Sequence, residues 1–138
     1  MPLLTVTDAR ERAQLALAPA VDGDPNVQAT ADAVTPPTLV VYWAEPWLEP
    51  VTSSGLRQPG FTARLSILAV AGRLEVAEGI AELESLITYA IGRLRADTYP
   101  WPAPTVGTPL RWRPWQGQQI EYLAAEIRYR TPVYLEGA

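Results

Sequence analysis

The chain has 138 residues, of which 48% are hydrophobic and 19% charged, and its net charge is −4. That size and balance suit one folded domain burying roughly 68% of its unfolded surface, and exclude both a disordered segment and a pair of full domains. Cysteine, histidine and lysine are absent, all eleven basic residues being arginine, which excludes disulfides, thiolate or imidazole catalysis, N/S-type zinc sites, Schiff bases and a phosphate-loop lysine.

The acidic balance argues against a surface built to grip nucleic acid, which draws its affinity from clustered positive charge. The preference for arginine over lysine is what a GC-rich coding sequence gives; it also furnishes planar guanidiniums for bidentate carboxylate contacts. No apolar run approaches the ~18 residues of a membrane span, and Asp8, Arg10, Glu11 and Arg12 interrupt the start where a signal peptide would be apolar. The expectation is a protein made in the cytosol, without a membrane partner.

In chain order, the first element is a short helix with Asp8 as N-cap and Glu11 three positions on, Ala9, Ala13, Ala16 and Leu17 on one side, and a stop before Pro19. Residues 19–37 carry Pro19, Gly23, Asp24-Pro25 and Pro36-Pro37 and read as a long surface connection, with a marginal strand between Val27 and Val34. Thr38 to Trp43 is β-branched and aromatic on both faces, as in a central strand. Ala44 to Gly60, with Pro46, Pro50 and Pro59, reads as a connection long enough to be functional.

Phe61 to Ala71 alternates Phe61, Ala63, Leu65, Ile67 and Ala69 against Thr62, Arg64 and Ser66, the period of a strand. From Glu75 to Arg95, the residues Val76, Ile80, Leu83, Ile87, Ala90 and Leu94 recur at helical spacing, with acids at the start and Arg93 and Arg95 at the end to suit the helix dipole. Pro100, Pro102 and Pro104 then hold an extended stretch over 97–109. Leu110 to Trp115 and Ile120 to Arg130 predict a β-hairpin bending at Gln116-Gly117. The order predicts a single α+β domain, with a mostly antiparallel or mixed sheet of about four strands packed with two helices.

Catalytic signals are sparse. Glu45 and Glu49 flank Pro46-Trp47-Leu48 and would be the acid and base of a carboxylate-dependent enzyme or small ligand-binding module; glutamates in such a loop are more often solvated. Glu78 and Glu82, one helical turn apart, fall far short of the ~6 to 8 oxygens calcium takes. Ser53-Ser54-Gly55 has no histidine to activate it, and no cofactor or metal site is expected.

The tryptophans and arginines point instead to protein contacts. Trp43 and Trp112 fall in strand patterns and are expected in the core or half-buried, whereas Trp47, Trp101 and Trp115 lie in proline-flanked connections, where aromatic side chains serve as interface anchors. Leu48 and Glu49 belong to the same candidate surface. Arg111 and Arg113 alternate with apolar residues, as do Arg128 and Arg130, so the hairpin is expected to gather four guanidiniums on one face, either solvated or docking acids such as Glu75, Glu78 and Glu82 of a neighbour.

Several local sequences resemble the tail terminator proteins of long-tailed bacteriophages, particularly those of GC-rich actinobacteria. They are Pro36-Pro37 leading into Leu39-Val40-Val41-Tyr42, Pro46-Trp47-Leu48-Glu49-Pro50, Leu65 to Gly72 running into the helix with Leu83-Glu84, and Tyr122-Leu123-Ala124-Ala125-Glu126-Ile127. The resemblance spans about residues 35–130 and carries no catalytic signature. It implies a non-enzymatic virion protein that forms a ring, usually a hexamer, on the head-proximal end of the tail tube. Such a ring stops tube polymerisation and meets a head-completion or connector protein while DNA passes through without specific binding. A stopper or other neck protein is the nearest alternative.

Overall fold

The computed structural model describes residues 4–28, 35–50, 60–72, 76–112 and 121–134, apart from the side chains of residues 45, 46 and 76. They form an α+β domain in the order β1 (Leu4–Thr5), α1 (Val6–Leu17), β2 (Asn26–Gln28), β3 (Thr38–Pro50), β4 (Phe61–Ala71), α2 (Val76–Ala96), β5 (Thr105–Val106), β6 (Leu110–Trp112) and β7 (Tyr122–Tyr134). The sheet runs β1-β7-β4-β3-β2, with β5 and β6 also paired to β7. β1 and β2 join in parallel and the other pairings are antiparallel, so the sheet is mixed. The four strands expected from the sequence correspond to β3, β4, β6 and β7; β2 falls at the start of the marginal strand expected from Val27, whose residues 29–34 lie outside the described ones, and β1 and β5, of two residues each, are too short to leave a periodic pattern.

α1 begins earlier than expected. Thr5, not Asp8, is the N-cap: its Oγ1 accepts the Asp8 N–H at 3.1 Å. Asp8 lies instead in the first turn, where its charge meets the positive end of the helix dipole. Thr5→Ala is therefore expected to lose about 1 kcal/mol of unfolding free energy in chemical denaturation.

β3 runs to Pro50 rather than ending at Trp43. Its register jumps from Trp43↔Leu65 to Leu48↔Ala63, so the four residues Ala44 to Trp47 lie opposite Arg64 alone. This bulge takes up Pro46, which has no N–H to give a ladder. Beyond Val40 the outer edge of β3 has no strand partner among the described residues, a further setting where prolines are tolerated in a strand.

β7 likewise continues past Arg130 to Tyr134. Gly107 N–H donates to the Glu126 carbonyl at 2.8 Å, so even-numbered backbone groups of β7 point to that edge. Pro132 shares this parity, and its missing N–H falls on a stretch, Tyr129 to Pro132, that no strand covers among the described residues.

Both helices pack on one face of the sheet. Leu39 and Val41 of β3, Leu65, Ile67 and Ala69 of β4, and Ala125, Ile127 and Tyr129 of β7 form the main core with Ala13 and Leu17 of α1 and Leu83, Leu86, Ala90 and Leu94 of α2. Each fully buried leucine here contributes about 2 kcal/mol. A smaller cluster joins Ala9 to Ala63 and Val133. The other face holds Val40, Leu68, Val70 and Ala124, packed with Tyr42, Trp112 and Tyr122, and no helical residue belongs to this cluster among the described residues. No described helix is long and apolar enough to cross a membrane.

Candidate contact surface

Strand alternation determines which side chains share the helix-free face. Register pairs Tyr42 with Ser66 and Ser66 with Arg128, then Arg64 with Arg130, while Glu126 stands opposite Leu68. These residues alternate with the core positions Leu65, Ile67, Ile127 and Tyr129, so they point away from both helices. One end of the face is thus apolar, and the other is charged.

Within the charged end the carboxylates are already engaged. Tyr42 Oη donates to Glu126 Oε2 at 3.0 Å, Arg128 Nε donates to Glu126 Oε1, and Arg64 Nη2 pairs with Glu49 Oε1. Burial works to raise the Glu126 carboxyl, but Ser66, Arg128 and Tyr42 outweigh it and hold the group below the ordinary carboxylate value. The Ser66 side chain is fully buried between its register partners Tyr42 and Arg128. Burial, reinforced by Glu126, pushes the Tyr42 phenol up.

Three guanidiniums meet here against two carboxylates. Arg64, Arg128 and Arg130, with Ala103, Thr105 and Tyr129, line a pocket of about 180 Å³. The Arg64 side chain is 18% exposed, and its Nε is buried with no hydrogen-bond partner. Arg130 is exposed and has no ion-pair partner among the described residues.

A second feature lies on the outer half of β3. Trp47 is 48% exposed and stacks on Trp43, ring centroids 5.7 Å apart and planes 23° from parallel. Trp43 in turn packs against both helix-side clusters, and Leu48 joins the smaller one. The bulge therefore presents Trp47 on a strand rather than in a loop, with Leu48 turned inward and Glu49 turned to Arg64.

Other expected contact residues are placed differently. Trp101 is half-buried against the main core: its Nε1 donates to Asp97 Oδ2 at 2.9 Å, and its ring meets Tyr99 and Tyr129 edge-on at 4.8 and 5.9 Å. A part-buried acceptor for the indole, invisible in the sequence, draws it in. Arg111 pairs in register with Leu123 and so shares the helix side of the sheet, opposite Arg128 and Arg130. The expected single face of four guanidiniums does not form, because the β6–β7 register sets Arg111 against an odd-numbered residue; Arg111 faces Glu121 at 3.6 Å instead. Glu82 accepts the Gly72 N–H, and Glu78 lies exposed one turn earlier on α2. Arg113, Trp115, Glu75 and the Ser53-Ser54-Gly55 run lie outside the described residues, as do the side chain of Glu45 and the hairpin bend.

Arg64, Tyr42 and Ser66 were missed as functional candidates. The polar alternation of Thr62, Arg64 and Ser66 was a signal that their side of β4 carries something other than core. Only the pairing of β4 with β7 shows that Arg64 meets Arg128 and Arg130. Among the described residues no three acidic side chains gather to hold a metal ion, and Glu49 of the proposed acid–base pair is held by Arg64. What this arrangement offers chemically is charge-assisted binding of oxyanions and stacking on an exposed indole. No protein-family model matches the chain, and no curated protein matches it.

Proposed function

We propose that this chain is a structural assembly protein of the tail terminator kind, forming a ring, as a hexamer, that caps the head-proximal end of a phage tail tube, ends its polymerisation and connects to a head-completion protein. Its place is then the virion neck, reached from the host cytoplasm during assembly. The observation that carries this reading is the helix-free sheet face, whose charged end holds more guanidiniums than its own carboxylates neutralise. A ring protomer needs two different faces, one meeting the other on its neighbour. The division into a helix layer and an arginine-bearing sheet face supplies two such faces. The local sequences that resemble those of tail terminators support the same reading.

The test is negative-stain microscopy of tails assembled without this protein. Overlong tubes are the expected result. Tubes of normal length that fail to join heads would instead make the chain a stopper.

Trp47 gives an independent expectation. Trp47→Ala should lose only about 1 kcal/mol of stability, that of an exposed stack, yet weaken ring formation about tenfold or more, as an interface anchor would. Urea unfolding and light scattering on the same preparation separate the two effects. Unchanged association would remove Trp47 from the contact surface.

A further inference from the structure

The pocket framed by Arg64, Arg128 and Arg130 keeps two cations side by side: Arg64 and Arg130 are direct register partners. Like charges in that position repel and destabilise the sheet. Among the described residues nothing in one protomer requires them, since there Arg130 has no ion-pair partner and Arg64 has only Glu49. The buried Nε of Arg64 adds a donor without an acceptor. A site with surplus donors, surplus positive charge and room for a small group is shaped for an oxyanion.

We propose that this pocket receives a glutamate carboxylate from α2 of a second copy of the chain. Between Val76 and Gly92, α2 carries Glu78, Glu82 and Glu84 and no basic residue; Glu78 and Glu84 are exposed, but Glu78 is already engaged and Glu82 accepts the Gly72 N–H, which leaves Glu84 as the donor. α1 is a poorer donor because Arg10 and Arg12 are interleaved with Asp8 and Glu11. α2 packs on the opposite side of the sheet from the pocket, so a protomer cannot fill its own site with this helix. The contact runs from the helix layer of one copy to the sheet face of the next. It rests on the ring reading for its head-to-tail geometry, and names the residues that close each joint.

The experiment is self-association of the full chain by sedimentation velocity, with Arg130→Glu, Glu84→Arg and an equimolar mixture of the two. Each variant alone should associate about tenfold or more weakly than the natural chain. The mixture should recover, because an unaltered pocket meets an unaltered helix at one joint and a reversed pocket meets a reversed helix at the next. Circular dichroism and melting establish that both variants fold; Arg130→Glu should melt no lower than the natural chain, since it removes the repulsion with Arg64. Either variant associating like the natural chain, a mixture that does not recover, or a natural chain that stays monomeric at every accessible concentration overturns the proposal. Rings that form regardless of these substitutions would remove the pocket and leave the terminator reading standing. Charge-swap recovery combined with normal tail length in the protein's absence would do the reverse.

Discussion

Asp97→Ala is expected to lower the unfolding free energy by about 3 kcal/mol and the melting temperature by roughly 10 °C. Asp97 follows the last residue of α2 and holds three parts of the chain together. Arg12 of α1 donates to it through Nε at 3.1 Å and through Nη2 at 3.2 Å, and Trp101 donates from the proline-rich stretch. The same Arg12 Nη2 reaches Thr98 Oγ1 at 2.6 Å, and the guanidinium lies over the Tyr99 ring at 5.7 Å. The Asp97 side chain is only 16% exposed, against 36% for Arg12, so alanine leaves a part-buried indole N–H unpaired as well as removing a two-point ion pair.

Asp97→Asn keeps an acceptor for Trp101 without the charge and should fall between the two. Burial works to raise the Asp97 carboxyl, but Arg12 and Trp101 hold it below its ordinary value. Because the folded-state value is depressed, this stabilisation is present above the unfolded carboxylate range and is lost as pH falls through the folded value. Urea titrations at neutral and acid pH should show the gap between Asp97→Ala and the natural chain closing in acid. A gap that persists in acid would assign the loss to packing. A shift of tryptophan fluorescence would report release of Trp101.

Alkaline pH should expose a second weakness of similar size. Tyr129 is 2% exposed in the main core, and burial, only partly offset by Arg95, pushes its phenol up to about 12 from 10.0. A raised folded-state value means that the stabilisation is complete below pH 10 and is lost as pH rises through 12. A difference of that size amounts to roughly 3 kcal/mol. Tyr129→Phe keeps the ring and should change neutral-pH stability by no more than about 1 kcal/mol, while flattening most of the alkaline loss. Tyr42 and Tyr89, also raised by burial, should leave a smaller slope. An equal alkaline loss in Tyr129→Phe would show that deprotonation of this phenol is not what destabilises the protein at high pH.

These two residues illustrate what was legible beforehand. The inward parity of Tyr129 follows from its alternation with Arg128 and Arg130, as the expected strand required. The role of Asp97 did not, because its partners at Arg12 and Trp101 lie in other elements and no periodicity connects them. The half-buried place of Trp101 is hidden for the same reason: a proline-flanked tryptophan reads as exposed until an acceptor is found for its N–H. The candidate surface was half legible. Arg128 and Arg130 follow from alternation, whereas Arg64 joins them and Arg111 leaves them through strand pairing alone.

Local rules were sufficient where hydrogen bonding and burial repeat with the backbone. The period-2 pattern gave β4 its bounds at Phe61 and Ala71, the 3.6-residue stripe located α2 to within a residue, and the missing side chains set the range of available chemistry. Only the tertiary structure decided where the chain departs from those periods and which strands become neighbours. The bulge that carries β3 through Pro46, the exposed edges that tolerate Pro50 and Pro132, and the register that brings Arg64 to Arg130 all depend on residues distant in sequence. The energy of such pairings belongs to the contact and not to either segment, so neither segment alone records it.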